Sequence, residues 1–122
     1  MDSDEYVLLV EDDADISEAV EAILREENFN IKCVSNGKEA LDFLQSTEKN
    51  PSLILLDIMM PIMNGYEFRE LQLQDAKISN IPTIILSAAG RQNDIDKLNF
   101  QECLKKPLDL ETLIEVVKKN SK

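Results

Sequence analysis

Apolar residues follow two rhythms along this chain. Unbroken apolar runs at 7–10, 53–56 and 84–86 have strand length and no polar alternation, the pattern of strands covered on both faces in a parallel sheet. Between them the period lengthens. Ile16, Val20, Ile23 and Leu24 fall at helical spacing after the first run, with Asp15 available as N-cap and Asn28 near the end. Residues 31–34 form a weaker strand, and Asn36-Gly37 leads into a helix presenting Ala40, Leu41 and Leu44 before the breaker Lys49-Asn50-Pro51-Ser52. Gly65 opens a helix carrying Phe68 and Leu71 on one side, and Ile81-Pro82 introduces the strand at 83–86. A short polar helix with Ile95 and Leu98 inward is predicted over 91–99, and a last strand over 100–104. Asp109 then caps a final helix with the stripe Leu110, Leu113, Ile114 and Val117, and Lys118 and Lys119 suit its C-terminal end.

Five strand–helix repeats in alternation predict an α/β fold, a (βα)5 doubly wound five-stranded parallel sheet with helices on both faces. The familiar strand order for such a chain is 2-1-3-4-5, with ligands bound beyond the carboxyl ends of the strands where the order reverses. Cys33 and Cys103 would then lie on opposite edges, ~19 Å apart at four strand spacings and far beyond the ~7 Å limit for a disulfide.

Composition narrows the function. At 122 residues and 43% hydrophobic content the chain is one domain, 1–122, with no separate output domain evident in it. A net charge of −11, from 13 basic and 24 acidic residues, argues against direct binding to nucleic acid or an anionic membrane. No apolar stretch approaches ~20 residues and no signal peptide opens the chain, so a cytoplasmic protein with reduced cysteines is expected. Histidine is absent, which excludes Ser-His-Asp and Cys-His catalysis, histidine-ligated zinc and any phosphohistidine on this chain.

The candidate chemistry lies at the strand ends. The first run stops at Glu11-Asp12-Asp13 and the third at Asp57. In the 2-1-3-4-5 order those strands are neighbours ~4.8 Å apart, which crowds carboxylates that must take up protons or bind a cation. Hard oxygen ligands suit magnesium, which leaves positions for a phosphate oxygen. Ser87 after the fourth strand offers a hydroxyl, and Lys106, before Pro107 after the fifth, offers an ammonium. Taken singly, each has a blander reading: Glu11-Asp12-Asp13 as a helix entry, Asp57 as a turn residue, Ser87 as a cap and Lys106 as a solvated charge. Their joint placement is what points to a phosphoryl site. Asn64-Gly65 reads as turn chemistry, and Lys106-Pro107 is a candidate cis peptide.

Glu11-Asp12, the segment Asp57-Ile58-Met59-Met60-Pro61-Ile62-Met63-Asn64-Gly65, Ser87-Ala88 and Lys106-Pro107 together resemble the bacterial response-regulator receiver (CheY-like) family over essentially the whole chain. The resemblance implies a flavodoxin-like fold and a phosphoacceptor, Asp57, that takes its phosphoryl group from a phosphohistidine on a sensor histidine kinase or histidine phosphotransfer protein. It implies magnesium, or alternatively manganese, bound directly by Asp12 and Asp57 and the Met59 backbone carbonyl, and through water by Glu11. Lys106 would pair with one phosphoryl oxygen, Ser87 would hydrogen-bond another, and the small Ala88 would leave room for the group. The switched surface would be that of the fourth helix, fifth strand and fifth helix, read by a downstream target protein or used to relay the phosphoryl group. Such a chain is not an enzyme toward external substrates.

Three departures stand out. Cys103 occupies the place, three before Lys106, where the family usually has an aromatic, so aromatic switching is excluded. The span from Ser87 to Lys106 is short, which trims the fourth helix or its preceding loop. Met59 and Ala89 put no charged or amide side chain by the path of hydrolytic water, so slow autodephosphorylation is expected. Other readings are a phosphorylation-independent docking module (a degenerate receiver), a haloacid-dehalogenase-type hydrolase, and a flavodoxin-like cofactor binder. Met59 replaces the hydrolase's second acid, and an acidic first loop opposes phosphate binding in a flavodoxin-like site.

Overall fold

The computed structural model describes residues 5–87 and 102–120. Strands β1 (Val7–Val10), β2 (Ile31–Val34), β3 (Leu53–Asp57), β4 (Thr83–Ser87) and β5 (Glu102–Lys105) form one sheet in the order β2-β1-β3-β4-β5. All four pairings are parallel. Helices α1 (Ala14–Glu26), α2 (Gly37–Ser46) and α3 (Gly65–Leu73) link the strands, and a C-terminal helix, Leu110–Asn120, follows β5. The helix predicted over 91–99 lies outside the described residues.

The alternation that the apolar runs conceal appears in the packing. Leu8, Val10, Ile54, Leu56 and Ile85 share a buried cluster with Ala40, Leu44 and Phe68 of α2 and α3. Their chain neighbours Val7, Leu9, Leu53, Leu55, Ile84 and Leu86 pack instead with Val20 and Leu24 of α1 and with Leu113 and Val117 of the C-terminal helix. Successive side chains of a strand point to opposite faces, so a run apolar at every position is what two helical layers require. Each fully buried Leu, Ile or Val contributes about 1.5–3 kcal/mol. Cys33 belongs to one layer and Cys103 to the other, and the two are not joined in a disulfide.

Several local expectations need correction. The cap of α1 is Asp13, not Asp15: its Oδ1 accepts the amides of Asp15 and Ile16 at 2.9 and 3.3 Å. The chain turns into α1 directly after Glu11 and Asp12, and the extended residue at that corner is Asp13. Asp15 instead sits in the first turn, where its charge opposes the positive helix end. Leu71, expected inward, is 42% exposed, while Arg69 and Gln72 of α3 are buried. Arg69 Nη1 donates to Gln72 Oε1 at 2.7 Å and to Thr83 Oγ1 at 3.0 Å, and Gln72 Nε2 donates to the Ile78 carbonyl at 3.0 Å. Buried polar groups are tolerated when bonded in this way. In the C-terminal helix the buried positions are Leu113, Val116 and Val117, with Ile114 only half-buried. The last strand begins at Glu102 among the described residues and runs one residue past the expected end, to Lys105.

Candidate functional site

Asp57 is the last residue of β3 and only 3% exposed. Beside it β1 is followed by Glu11, 2% exposed, whose amide donates to the Val34 carbonyl of β2 at 3.0 Å, and then by Asp12, which is exposed. One carboxylate oxygen from each of Glu11, Asp12 and Asp57 lies within 4.8 Å of the others. The strand order achieves this across the 45 residues that separate Asp12 from Asp57 in sequence.

Lys106 closes the group from the far side. Its Nζ lies 3.0 Å from Glu11 Oε1 and 3.0 Å from Asp57 Oδ1. The Lys106 amide donates to the Ser87 carbonyl at 2.8 Å, tying the ends of β4 and β5, and the Lys106-Pro107 peptide is cis, as expected. Ser87, 4% exposed, ends β4 beside Lys105 in the strand register. Met59 lies two residues beyond Asp57 with a 60% exposed side chain, so its backbone is what it can offer the site. Ala88 and Ala89 lie outside the described residues.

Burial, reinforced by the Glu11 charge, pushes the Asp57 carboxyl up to about 6 against the opposing pull of Lys106. Burial acts downward on the Lys106 ammonium, but the two carboxylates outweigh it and the net direction is upward. One ammonium thus faces three carboxylates. Glu11 Oε1 is buried and faces the Lys106 ammonium at 3.0 Å. Three converging carboxylates, an all-oxygen anionic set, fit a hard divalent cation such as magnesium or manganese and do not fit soft metals.

The loop after Asp57 is held by groups whose role no sequence pattern had singled out. Asn64 and Glu67 form a reciprocal capping box at the start of α3, Glu67 amide to Asn64 Oδ1 at 2.9 Å and Asn64 amide to Glu67 Oε1 at 3.0 Å. The Asn-x-x-Glu spacing is its signal, masked by the turn reading of Asn64-Gly65. Gly65 is required by close approach: a Cβ there would lie 2.5 Å from the Asp57 carbonyl oxygen and 2.8 Å from Ile58 Cα. Its amide donates to the Ile58 carbonyl at 2.8 Å, so the helix start is fastened to the backbone that carries Asp57.

A pocket of about 270 Å³ adjoins Lys106, walled by Ile16, Ala19 and Val20 of α1 and by Pro107, Leu108 and Leu110.

The model of a family described as the response regulator receiver domain matches residues 7–118. The chain is 38% identical over 118 residues to a transcriptional regulatory protein CpxR homolog of Haemophilus influenzae, covering 92% of this chain and 48% of that protein. It is 34% identical over 116 residues to the response regulator Rre1 of Synechocystis, covering 92% and 49%. The chain therefore spans about half the length of these curated relatives. Among solved structures, the signal receiver domain of a signal transduction histidine kinase from Syntrophus aciditrophicus superposes with a TM-score of 0.86 at 30% identity, covering 94% of this chain and 88% of that one. The receiver domain of Francisella response regulator 1452 gives 0.84 at 29% identity, with 97% of each chain covered.

Proposed function

The chain belongs to the response regulator receiver family, and from that premise we propose that Asp57 is its phosphoacceptor in two-component signalling, taking a phosphoryl group from a phosphohistidine on a sensor histidine kinase or histidine phosphotransfer protein. The observation that carries this reading is the convergence of Glu11, Asp12, Asp57 and Lys106, with Nζ 3.0 Å from two of the carboxylates.

In the proposed reaction an Asp57 carboxylate oxygen attacks phosphorus in line, the bond from phosphorus to the donor imidazole nitrogen breaks, and the imidazole leaves with that electron pair. Asp57 must be ionised to attack. With its carboxyl titrating at about 6, most of it is ionised at neutral pH. Lys106 already touches the oxygen that becomes esterified or its geminal partner, and its ammonium would follow the charge onto a phosphoryl oxygen. The Ser87 hydroxyl, at the end of the neighbouring strand, would donate to another. Positioning and charge compensation of this kind suffice for phosphoryl transfer without a dedicated base. Asp12, Asp57 and the Met59 carbonyl would hold magnesium directly and Glu11 would hold it through water; when bound, the ion would neutralise charge on the carboxylates and phosphoryl oxygens.

The phosphorylated state would alter the surface read by a downstream target, in a cytoplasmic setting and with no turnover of an external substrate. No described helix is long and apolar enough to cross a membrane. The exposed thioether of Met59 supplies neither charge nor amide to orient a hydrolytic water, so the aspartyl phosphate is expected to be long-lived.

Both points are tested by intact mass after incubation with acetyl phosphate. The expected result is a gain of one phosphoryl group that needs magnesium, disappears in Asp57→Ala, and decays over minutes or longer once the donor is removed. No gain with folded, magnesium-binding protein would overturn the phosphoacceptor role. Decay within seconds would overturn the slow hydrolysis.

A further inference from the structure

The corner between β1 and α1 carries Glu11 and Asp12, two of the converging carboxylates, and it is gripped from several sides. The Glu11 amide donates to the Val34 carbonyl at 3.0 Å, and the Glu11 carbonyl accepts from the Ser17 hydroxyl at 3.4 Å. At the tip of the side chain, Oε1 faces Lys106 Nζ at 3.0 Å and Oε2 accepts the Asp13 backbone amide at 3.1 Å. A glutamate gives up much rotamer freedom when it is ordered, so the contacts at its tip decide where the carboxylate stands.

Asp13 is the pivot of this corner, although its own carboxylate is not one of the converging group. Its backbone is extended, with φ −81 and ψ 113, and its Oδ1 reaches forward to the amides of Asp15 and Ile16 at 2.9 and 3.3 Å. Its carbonyl accepts the Ser17 amide at 3.0 Å. Side chain and carbonyl thus tie residue 13 to α1, while its amide is turned back to Glu11. Because the peptide unit is planar, the direction of that amide also sets the backbone on which Asp12 stands. A single residue therefore couples the first turn of α1 to both acidic groups that follow β1.

We propose that Asp13 is a positioning residue of the cation site: its side-chain cap on α1 aims its amide at Glu11 Oε2 and so fixes the corner that presents Glu11 and Asp12 to a hard divalent cation. Removing a contact that orients a metal's ligands commonly costs about 10–100-fold in affinity. The lower end is expected here, since Val34 and Lys106 hold Glu11 independently of Asp13. The inference rests on the cation site proposed above, and its test separates the two.

Magnesium affinity is measured by titration calorimetry on wild type, Asp13→Asn, Asp13→Ala, Asp13→Gly and Lys77→Met. Asparagine, alanine and glycine all remove the Asp13 charge, and only asparagine can still accept the amides of residues 15 and 16. Asp13→Ala is expected to bind magnesium about tenfold more weakly than Asp13→Asn. Glycine disturbs a helix start far less than alanine does, so Asp13→Gly separates loss of the side-chain grip from loss of helix stability, and it should bind as weakly as Asp13→Ala. Lys77 caps the C-terminal end of α2, donating to the Leu44 and Thr47 carbonyls at 2.8 and 3.1 Å. Lys77→Met therefore weakens the fold without touching the corner, and it should keep the wild-type affinity. A wild type that binds no magnesium would sink the cation site and this inference with it. With binding by the wild type established, Asp13→Ala or Asp13→Gly binding as tightly as Asp13→Asn, or an equal loss in Lys77→Met, would overturn this inference alone.

Discussion

Asp57→Asn is expected to make the metal-free protein more stable at neutral pH. Burial and the Glu11 charge raise the Asp57 carboxyl from an ordinary value near 3.8 to about 6, so the native state holds a proton that the unfolded chain releases earlier. The sign follows from linkage. For a carboxyl raised on folding, the favourable contribution is fully present below the unfolded value, is lost as pH rises through the folded value, and stays lost above it. A shift of this size corresponds to roughly 2–3 kcal/mol. Asparagine mimics the protonated form at every pH, and its carbonyl can still accept from Lys106. The difference in unfolding free energy between Asp57→Asn and wild type should therefore be small near pH 4 and grow to about 2 kcal/mol in favour of the variant by pH 7. Magnesium should narrow it by binding the native wild type. Urea melts at several pH values, with chelator and with magnesium, decide the matter. A variant less stable at pH 7, or a gap independent of pH, would contradict a carboxyl raised by burial and by Glu11.

Lys106→Met should act in the opposite direction and at least as strongly. The ammonium is 3.0 Å from both Glu11 and Asp57, whose side chains are 0% and 4% exposed. Methionine retains much of the apolar stem and removes the charge. Breaking a buried ion pair from one side costs about 3–5 kcal/mol, and proton uptake by Asp57 relieves part of that. A loss of about 2–3 kcal/mol at pH 7 is expected without metal, with partial recovery on adding magnesium. In the Asp57→Asn background Lys106→Met should cost less than it does in the wild type, since one of the two stranded carboxylates is gone. Strict additivity in that cycle would show that Lys106 and Asp57 do not interact.

Much of this was legible in the chain because β strands covered on both faces leave an unmistakable mark. The runs at 7–10, 53–56 and 84–86 contain no polar residue, and a sheet between two helical layers buries every position of such a run. The site was legible for the converse reason. Glu11, Asp57 and Ser87 end apolar runs, Asp12 follows Glu11 and Lys106 follows the last strand, and the strand order then brings the described carboxylates and the lysine together.

Local competition hid the rest. Hydrophobic periodicity placed Leu71 inside α3, but the guanidinium of Arg69 and the amide of Gln72 take the buried face by bonding each other and Thr83. Asp12, Asp13 and Asp15 all have the chemistry of a cap, and only the backbone turn selects Asp13. The close contact of Gly65 with the Asp57 carbonyl and the left-handed conformation of Ile62 are tertiary facts with no periodic signal.

The most direct test of the central claim locates the phosphoryl group. The protein is incubated with acetyl phosphate and magnesium and quenched with borohydride, which reduces an acyl phosphate to an alcohol, and its peptides are then sequenced by mass spectrometry. The account predicts homoserine at position 57 and no conversion at Glu11 or Asp12. A converted carboxylate elsewhere, or unmodified Asp57 in a protein that has gained a phosphoryl group, would contradict it.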